Sequence, residues 1–439
     1  MAENTETYRE FIRKLLKAEQ DSNSDVAVVY PILRQGQHLL NASFVEILQQ
    51  LVENAIAKQP EAIESILRDI ENLSIDINQF PHGKRASNIE IAIEGYQIVL
   101  SHREPGSEKW AQTQNNLANA YYSRIRGEKA KNIESAIASY TAALKVRTRE
   151  AFPEQWATTQ NNLAIAYSDR IRGERADNIE TAIKFYTTAL DVYTPEAFPE
   201  KWAGMQNNLA AAYFDRIRGE RANNIETAIK FYTAALNVRT HEAFPEKWAM
   251  TQNNLGEAYR VRIRGERADN IETAITFYTA AFDVYTREAF PEDWAMTQNN
   301  LAIAYSDRIR GERAGNIETA IKFYTTALDV YTPEAFPEQW AATQHNLATS
   351  YYFRIRGERA DNIETAIKFY TAALDVCTRE AFPEQWAATQ HNLGETYRVR
   401  IRGKKVQNIE NAIASYTAAF RLRSSHPRCL SRRLGNDAK

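Results

Sequence analysis

In the segment WATTQNNLAIAYSDRIRGERADNIETAIKFYTTALDVYTPEAFPEK, residues 156 to 201, the apolar positions fall into two helical series. Trp156, Leu163, Ala164, Tyr167 and Ile171 share one face at about 100° per residue. Ile179, Ala182, Ile183, Tyr186, Ala189 and Leu190 share another. The first series predicts a helix A that opens at the proline of the preceding AFPE motif, as Pro199 does for the next copy, and ends by Gly173. The second predicts a helix B after ERAD, with Asp177 or Asn178 as N-cap and Glu180 at capping-box spacing from Asp177. The YTPEAFPE segment turns the chain back, giving an antiparallel pair that cannot bury its apolar stripes alone.

The pair is repeated. Trp110, Trp156, Trp202, Trp248, Trp294, Trp340 and Trp386 are all 46 residues apart, which predicts an all-α solenoid of seven stacked pairs over residues 110–423. Repeats two and five differ at three positions: Thr158 against Met296, Asp177 against Gly315 and Lys201 against Gln339. Such recent copies make differences more informative than identities. Ahead of the array, residues 88–100 match a helix B, so residues 81–109 read as a degenerate first pair. Residues 1–80 hold three amphipathic helical segments and read as an N-terminal domain that caps the solenoid. Residues 424–439, basic and poor in apolar side chains, read as a flexible tail. The helix B before that tail has no evident polar cap, so that end is expected either to pair with another chain, forming a homo-oligomer, or to await a downstream module.

Charge alters this picture little: 54 basic and 56 acidic residues give no global attraction to nucleic acid or an anionic membrane. The polar, acidic start MAENTETYREF and the lack of any run near the roughly 18 apolar residues of a membrane span predict a soluble, cytoplasmic protein. Cys377 and Cys429, the two cysteines, form neither a disulfide framework nor a metal-ligand set, so no metal and no cofactor is expected.

The recurring Leu163-Ala164-x-x-Tyr167 and Ala182-x-x-x-Tyr186-x-x-Ala189 spacings resemble the tetratricopeptide repeat. The NNLA opening and the long repeat are most similar to its kinesin-light-chain subgroup. The resemblance implies a right-handed superhelical solenoid. Two features depart from the family: Trp156 lies farther from Leu163 than is usual, and the stretch from Tyr167 to Ala182 is longer, which predicts an extended helix A. Bacterial arrays with similar AFPE loops are often fused to a caspase-like CHAT protease domain; no such domain is expected in this sequence.

A second stripe of helix A lies apart from the buried one and varies between copies. Its variable positions include Thr158, Met250 and Met296, then Ile165, Glu257 and Ile303, then Asp169, Val261, Asp307 and Phe353. Between them an asparagine is fixed: Asn116, Asn162, Asn208, Asn254, Asn300, Asn346 and Asn392. The resemblance places this stripe on a concave groove whose asparagines grip a peptide backbone. A carboxamide offers donor and acceptor together, so it matches a peptide group regardless of sequence. The alternative, given equal weight, is that each asparagine bonds to its own or the adjacent repeat.

The RIRGER segments stack arginines such as Arg170, Arg172 and Arg175, which could meet phosphates along one edge. Nearby Glu174, Glu180, Glu196 and Glu200 favour ion pairing instead. GxxxxGK[ST], GxSxG, HExxH and CxxC are all absent from the sequence, and a Cys/His dyad through Cys377 ranks far below a structural thiol, so the chain reads as a non-enzyme. The leading expectation is a scaffold that binds an extended peptide or partner protein. A self-assembling spacer, or the sensor half of a bacterial signalling or defence system, is the alternative, and nucleic-acid binding ranks last.

Overall fold

A computed structural model describes residues 5–425. Every regular element among them is a helix, and none is long and apolar enough to cross a membrane. The chain forms two compact units, Met1–Asn224 and Ile225–Lys439.

The first unit opens with α1 (Thr5–Ser22), α2 (Val26–Gln35), α3 (Ala42–Lys58), α4 (Ile63–Gln79) and α5 (Arg85–His102). Ile12 and Leu15 of α1, Val29 and Leu33 of α2, Phe44 and Leu48 of α3, Leu67 and Ile77 of α4 and Val99 of α5 share one core. α5 contains the helix B read at 88–100, and its helix A is α4. The first pair thus begins inside the segment assigned to the N-terminal domain, and α4 serves both.

A helices and B helices then alternate. The A helices are α6 (Glu108–Ser123), α8 (Pro153–Ser168), α10 (Pro199–Phe214), α12 (Pro245–Arg260), α14 (Pro291–Asp307), α16 (Pro337–Tyr352) and α18 (Pro383–Arg398). The B helices are α7 (Lys129–Leu144), α9 (Arg175–Ala189), α11 (Arg221–Leu236), α13 (Arg267–Val284), α15 (Arg313–Ala327), α17 (Arg359–Val376) and α19 (Lys405–Ser425). The tail from residue 426, with Cys429, lies outside the described residues. Within the pairs, fully buried alanines such as Ala157, Ala164, Ala182 and Ala189 let the helices approach closely, and Leu163, Ile179 and Tyr186 fill the seam.

Each end of helix A has its own device. Ahead of α10, the Thr194 hydroxyl accepts from Ala197 N (3.2 Å) and its carbonyl from Phe198 N (2.9 Å), so Pro199 enters as the first helical residue. At the other end helix A stops earlier than its apolar pattern predicts. α8 ends at Ser168 after 16 residues, so the extra length of the repeat lies in the turn and not in an extended helix. Ile171, read as buried, is 61% exposed in that turn. Gly173 takes φ +78°, a left-handed conformation that suits glycine, and Glu174 takes the N-cap position of α9 without a side-chain capping bond. Asn178, read with Asp177 as the cap, is instead buried within the first turn. Its amide donates back to the carbonyls of Arg170 (3.2 Å) and Arg172 (2.9 Å), which locks the loop. The same lock recurs from Asn88, in the degenerate pair, to Asn408.

With the turn fixed, its first arginine reaches back to the preceding B helix. Arg170 lays both guanidinium nitrogens on the two oxygens of Glu134 (2.8 and 2.9 Å). Arg216 does so with Glu180, Arg262 with Glu226, Arg308 with Glu272, Arg354 with Glu318 and Arg400 with Glu364. Arg124 forks onto Glu90 in the same way. The first arginine of each of these turns is therefore an internal clasp, and Arg170 pairs with none of the acids of its own repeat.

Hydrogen bonds from these arginines hold the Glu134, Glu226, Glu272, Glu318 and Glu364 carboxyls below the ordinary range. A depressed carboxyl contributes stability that is complete above its unfolded value near 4.5 and is lost as pH falls through the folded value. Acid titration followed by circular dichroism should therefore show repeat stacking failing below that range. Glu272→Gln should cost about 1 kcal/mol at neutral pH, the pair being partly solvated, and should blunt the acid transition. An acid profile identical to the parent's would show that the clasp is not coupled to stability.

Candidate peptide-binding surface

The fixed asparagines are all half-buried, and several are bonded between repeats. Asn116 donates to Glu71 on α4 (3.1 Å), Asn162 to Asn119 (3.3 Å), Asn208 to Asn161 (3.1 Å) and Asn392 to His345 Nε2 (3.2 Å). In repeats one, four, five and six the residue before the fixed asparagine reaches forward to a buried threonine of the next repeat. Asn115 accepts from Thr159 (3.2 Å), Asn253 donates to Thr297 (2.7 Å), Asn299 accepts from Thr343 (3.3 Å), and His345 Nδ1 meets Thr389 (2.8 Å). Much of the double asparagine is thus a polar seam between repeats. Asn254 belongs to the same half-buried row. Asn300 and Asn346 differ, because neither side-chain amide has a partner among the described residues.

The variable positions also have structural work. The helix B tyrosine, buried in all but the last repeat, turns its hydroxyl to its own helix A. Tyr140 donates to Asn119 (2.5 Å), Tyr370 pairs with Thr349 (2.8 Å), Tyr278 donates to Glu257 (2.9 Å) and Tyr416 to Glu395 (2.6 Å). In repeats four and seven the glutamate arrives with a glycine and an arginine. A Cβ on Gly256 would lie 2.6 Å from the Tyr278 ring, and Arg260 forks onto Glu257 at 2.7 and 2.8 Å. Sequence alone carried this signal, since Gly256, Glu257, Arg260 and Val261 change together and recur as Gly394, Glu395, Arg398 and Val399. Glu257 is consequently committed to internal bonds, and Val261 is half-buried beside them.

Thr158 is likewise engaged, by the Tyr193 hydroxyl (2.5 Å), and Asp169 accepts from the Tyr122 hydroxyl. Met250 and Met296 stand exposed. The remaining candidates converge on pockets at neighbouring A helices. In the first unit Ile165, Asp169, Tyr186, Asn208 and Asp215 line one of about 270 Å³. In the second, Ile303, Asp307, Tyr324, Asn346, Thr349 and Phe353 line one of about 290 Å³. The first is rimmed by acids, with Asp215 tied to Arg175 (3.1 Å). The second has Phe353, 56% exposed, in the place of Asp215, while Asp307 is balanced by Arg260 (3.2 Å) and Arg267 (3.4 Å). That leaves an apolar wall and one unengaged amide.

Burial and then the Glu338 charge push the Cys377 thiol up to about 11, and the side chain is fully enclosed, so it is no ready nucleophile. Among the described residues no group of three or more His, Cys, Asp or Glu is placed to hold a metal.

Antiparallel helix pairs joined through side-chain seams, with pockets opening along their A helices, define a helical-repeat scaffold. The array is of the tetratricopeptide-repeat type: the family described as "Tetratricopeptide repeat" matches residues 110–150. Two solved structures share the fold. One is a signal-transduction ATPase with numerous domains bearing a tetratricopeptide-repeat sensor, from Pyrococcus horikoshii (13% identity, TM-score 0.54, covering 92% of this chain and 54% of that one). The other is the apo quorum sensor NprR from B. thuringiensis (14% identity, TM-score 0.52, covering 94% and 97%). The chain spans about half the length of the former. No curated protein sequence matches it.

Two measurements check the seam. Gly256→Ala should lower stability by about 1–3 kcal/mol through overpacking on Tyr278, and an unchanged melting temperature would refute the close contact. Burial lowers His345 to about 4 from 6.5, so its neutral ring stabilises fully above 6.5 and progressively less as pH falls through that value toward 4. At pH 5.5 the loss should be about 1 kcal/mol, above the carboxylate window. His345→Asn should remove that step from a plot of melting temperature against pH.

Proposed function

We propose that the protein is a non-enzymatic binding scaffold that holds an extended peptide, or such a segment of a partner protein, along its A-helix face. The observation that carries this reading is the pocket of repeats five and six. There the amide of Asn346 has no partner among the described residues and stands with Ile303 and Phe353 beside charge-balanced Asp307. An amide that offers both donor and acceptor suits a peptide group, and the apolar walls suit one uncharged side chain. This is narrower than a grip by every asparagine, because Asn116, Asn162, Asn208 and Asn392 already spend their amides within the protein. The two fold neighbours are described as a sensor-bearing ATPase and a quorum sensor, which is in keeping with a sensing role. The clasped arginines do not favour nucleic acid.

Linear peptides selected from a phage-displayed library against the whole chain provide the test. Asn346→Ala and Phe353→Asp should each weaken the selected peptides about tenfold or more, the scale of one lost buried polar or apolar contact, with melting unchanged. Asn162→Ala should act on melting and spare binding. Peptides indifferent to both pocket variants would sink the reading.

A further inference from the structure

Two acids are buried in the N-terminal core without a counter-ion among the described residues. Glu19 of α1 is 2% exposed, and neither of its carboxylate oxygens accepts a hydrogen bond. Asp76 of α4 is 5% exposed, and its Oδ2 is likewise unbonded. The two carboxyl groups meet where α1 packs on α4, in the core that holds Leu15, Leu73 and Ile77. Their surroundings bring no positive charge. Asp69 of α4, Tyr30 of α2 and Tyr96 of α5 face the pair. Arg68 is spent on Asp69 (3.2 Å) and Arg103 on Glu71 (2.7 Å). Lys14 and Lys17 of α1, Arg34 of α2 and Glu46, Glu53 and Lys58 of α3 are all exposed, while α3 turns Phe44, Leu48 and Val52 inward. Two carboxylates in such a place cannot both be ionised; one proton between them removes a charge and supplies the missing donor. Burial and then the Asp76 charge push the Glu19 carboxyl up from 4.5 to about 8, and burial raises Asp76 as well.

The turn that follows Glu19 has the character of a hinge. Asn23 and Ser24 take φ +54° and +62°, a left-handed pair with no glycine to ease it. The turn is held in that state from both helices: Ser24 N donates to the Glu19 carbonyl (2.9 Å), and the Asn72 amide of α4 donates to the Ser24 hydroxyl (2.7 Å). Beyond it, α2 is anchored by Val29 and Leu33, while Val26 and Val28 are 44% and 43% exposed. α4 itself is fastened to the array, because its Glu71 holds Asn116 (3.1 Å) as well as Arg103. We propose that one proton shared by Glu19 and Asp76 latches the α1–α2 hairpin onto α4, and that loss of this proton as pH rises through neutrality releases the hairpin and uncovers the apolar face of α4. Once the hairpin is released both carboxyls ionise near their ordinary values. From about pH 5 to 8 opening therefore sheds one proton, and the latch weakens steadily with rising pH. That sign is opposite to the sign for the arginine-clasped glutamates, and the upper part of the window lies above the range in which His345 titrates.

Hydrogen–deuterium exchange of the whole chain, read by mass spectrometry and corrected for the intrinsic pH dependence of exchange, tests the latch. Between about pH 6 and 7.5 the opening constant of the α1 and α2 amides should rise about tenfold per pH unit, as release of one proton requires. That of α7 should stay level. Glu19→Gln, whose amide donates to Asp76 without a charge, should flatten the slope and keep the hairpin protected at pH 7.5. Asp76→Asn should lessen the slope, since Glu19 then faces an amide in place of a second acid. Circular dichroism at pH 6 checks that each variant is helical, and the slope of the parent needs no variant. Opening that is independent of pH in the parent would overturn the proposal. So would a slope that survives in Glu19→Gln, or α7 opening in step with the hairpin.

Discussion

A guanidinium laid flat on a carboxylate of the preceding repeat fixes how one helix pair sits on the next. The arginine is held for this task from two sides. Its own carbonyl is tied by the buried asparagine of the turn, as Arg170 is by Asn178, and its guanidinium lies over the tyrosine that closes helix A, 5.5 Å from the Tyr167 ring. A hydrophobic seam of alanines can slide with little change in buried area; a two-pronged ion pair cannot. Once the clasp is set, the register of successive A helices follows, and with it the meeting of Asn161 with Asn208, of Asn299 with Thr343, and the width of the pockets between them.

That constraint explains which parts of the fold the sequence revealed. Period, helix pairing and the proline start of helix A were legible because each is a local signal repeated at fixed spacing. The end of helix A was not. Ile171 falls eight residues after Leu163, in helical register, and nothing in the pattern says that the clasp needs its flanking arginines in an extended turn. Asn178 read as a cap for the same reason: an asparagine near a helix start usually serves the helix ahead of it, whereas this one serves the loop behind it. The helix A of the first pair escaped notice because α4 carries neither the tryptophan nor the double asparagine, though the loop lock survives at Asn88.

The candidate site was legible in outline and misleading in detail. A stripe that varies around a fixed amide does lie along the A helices, yet part of its variation answers an internal demand. A buried tyrosine hydroxyl must find an acceptor or donor on its own helix A, and asparagine, threonine and glutamate are different solutions to that need. Variation at such a position reports how the tyrosine is satisfied before it reports anything about a ligand. Only positions free of that demand, Phe353 and the exposed methionines among them, remain open to selection by a partner.

Near-identical repeats can therefore be chemically unlike, and the cause lies in the neighbour. Repeats two and five share all but three residues, and the fixed asparagine is common to both. Asn162 is bonded because repeat one places Asn119 within reach; Asn300 is not, because the matching position of repeat four is Glu257, already held by Tyr278 and Arg260. Each junction is thus read from two sequences at once, and a substitution in one repeat alters the bonding of the next.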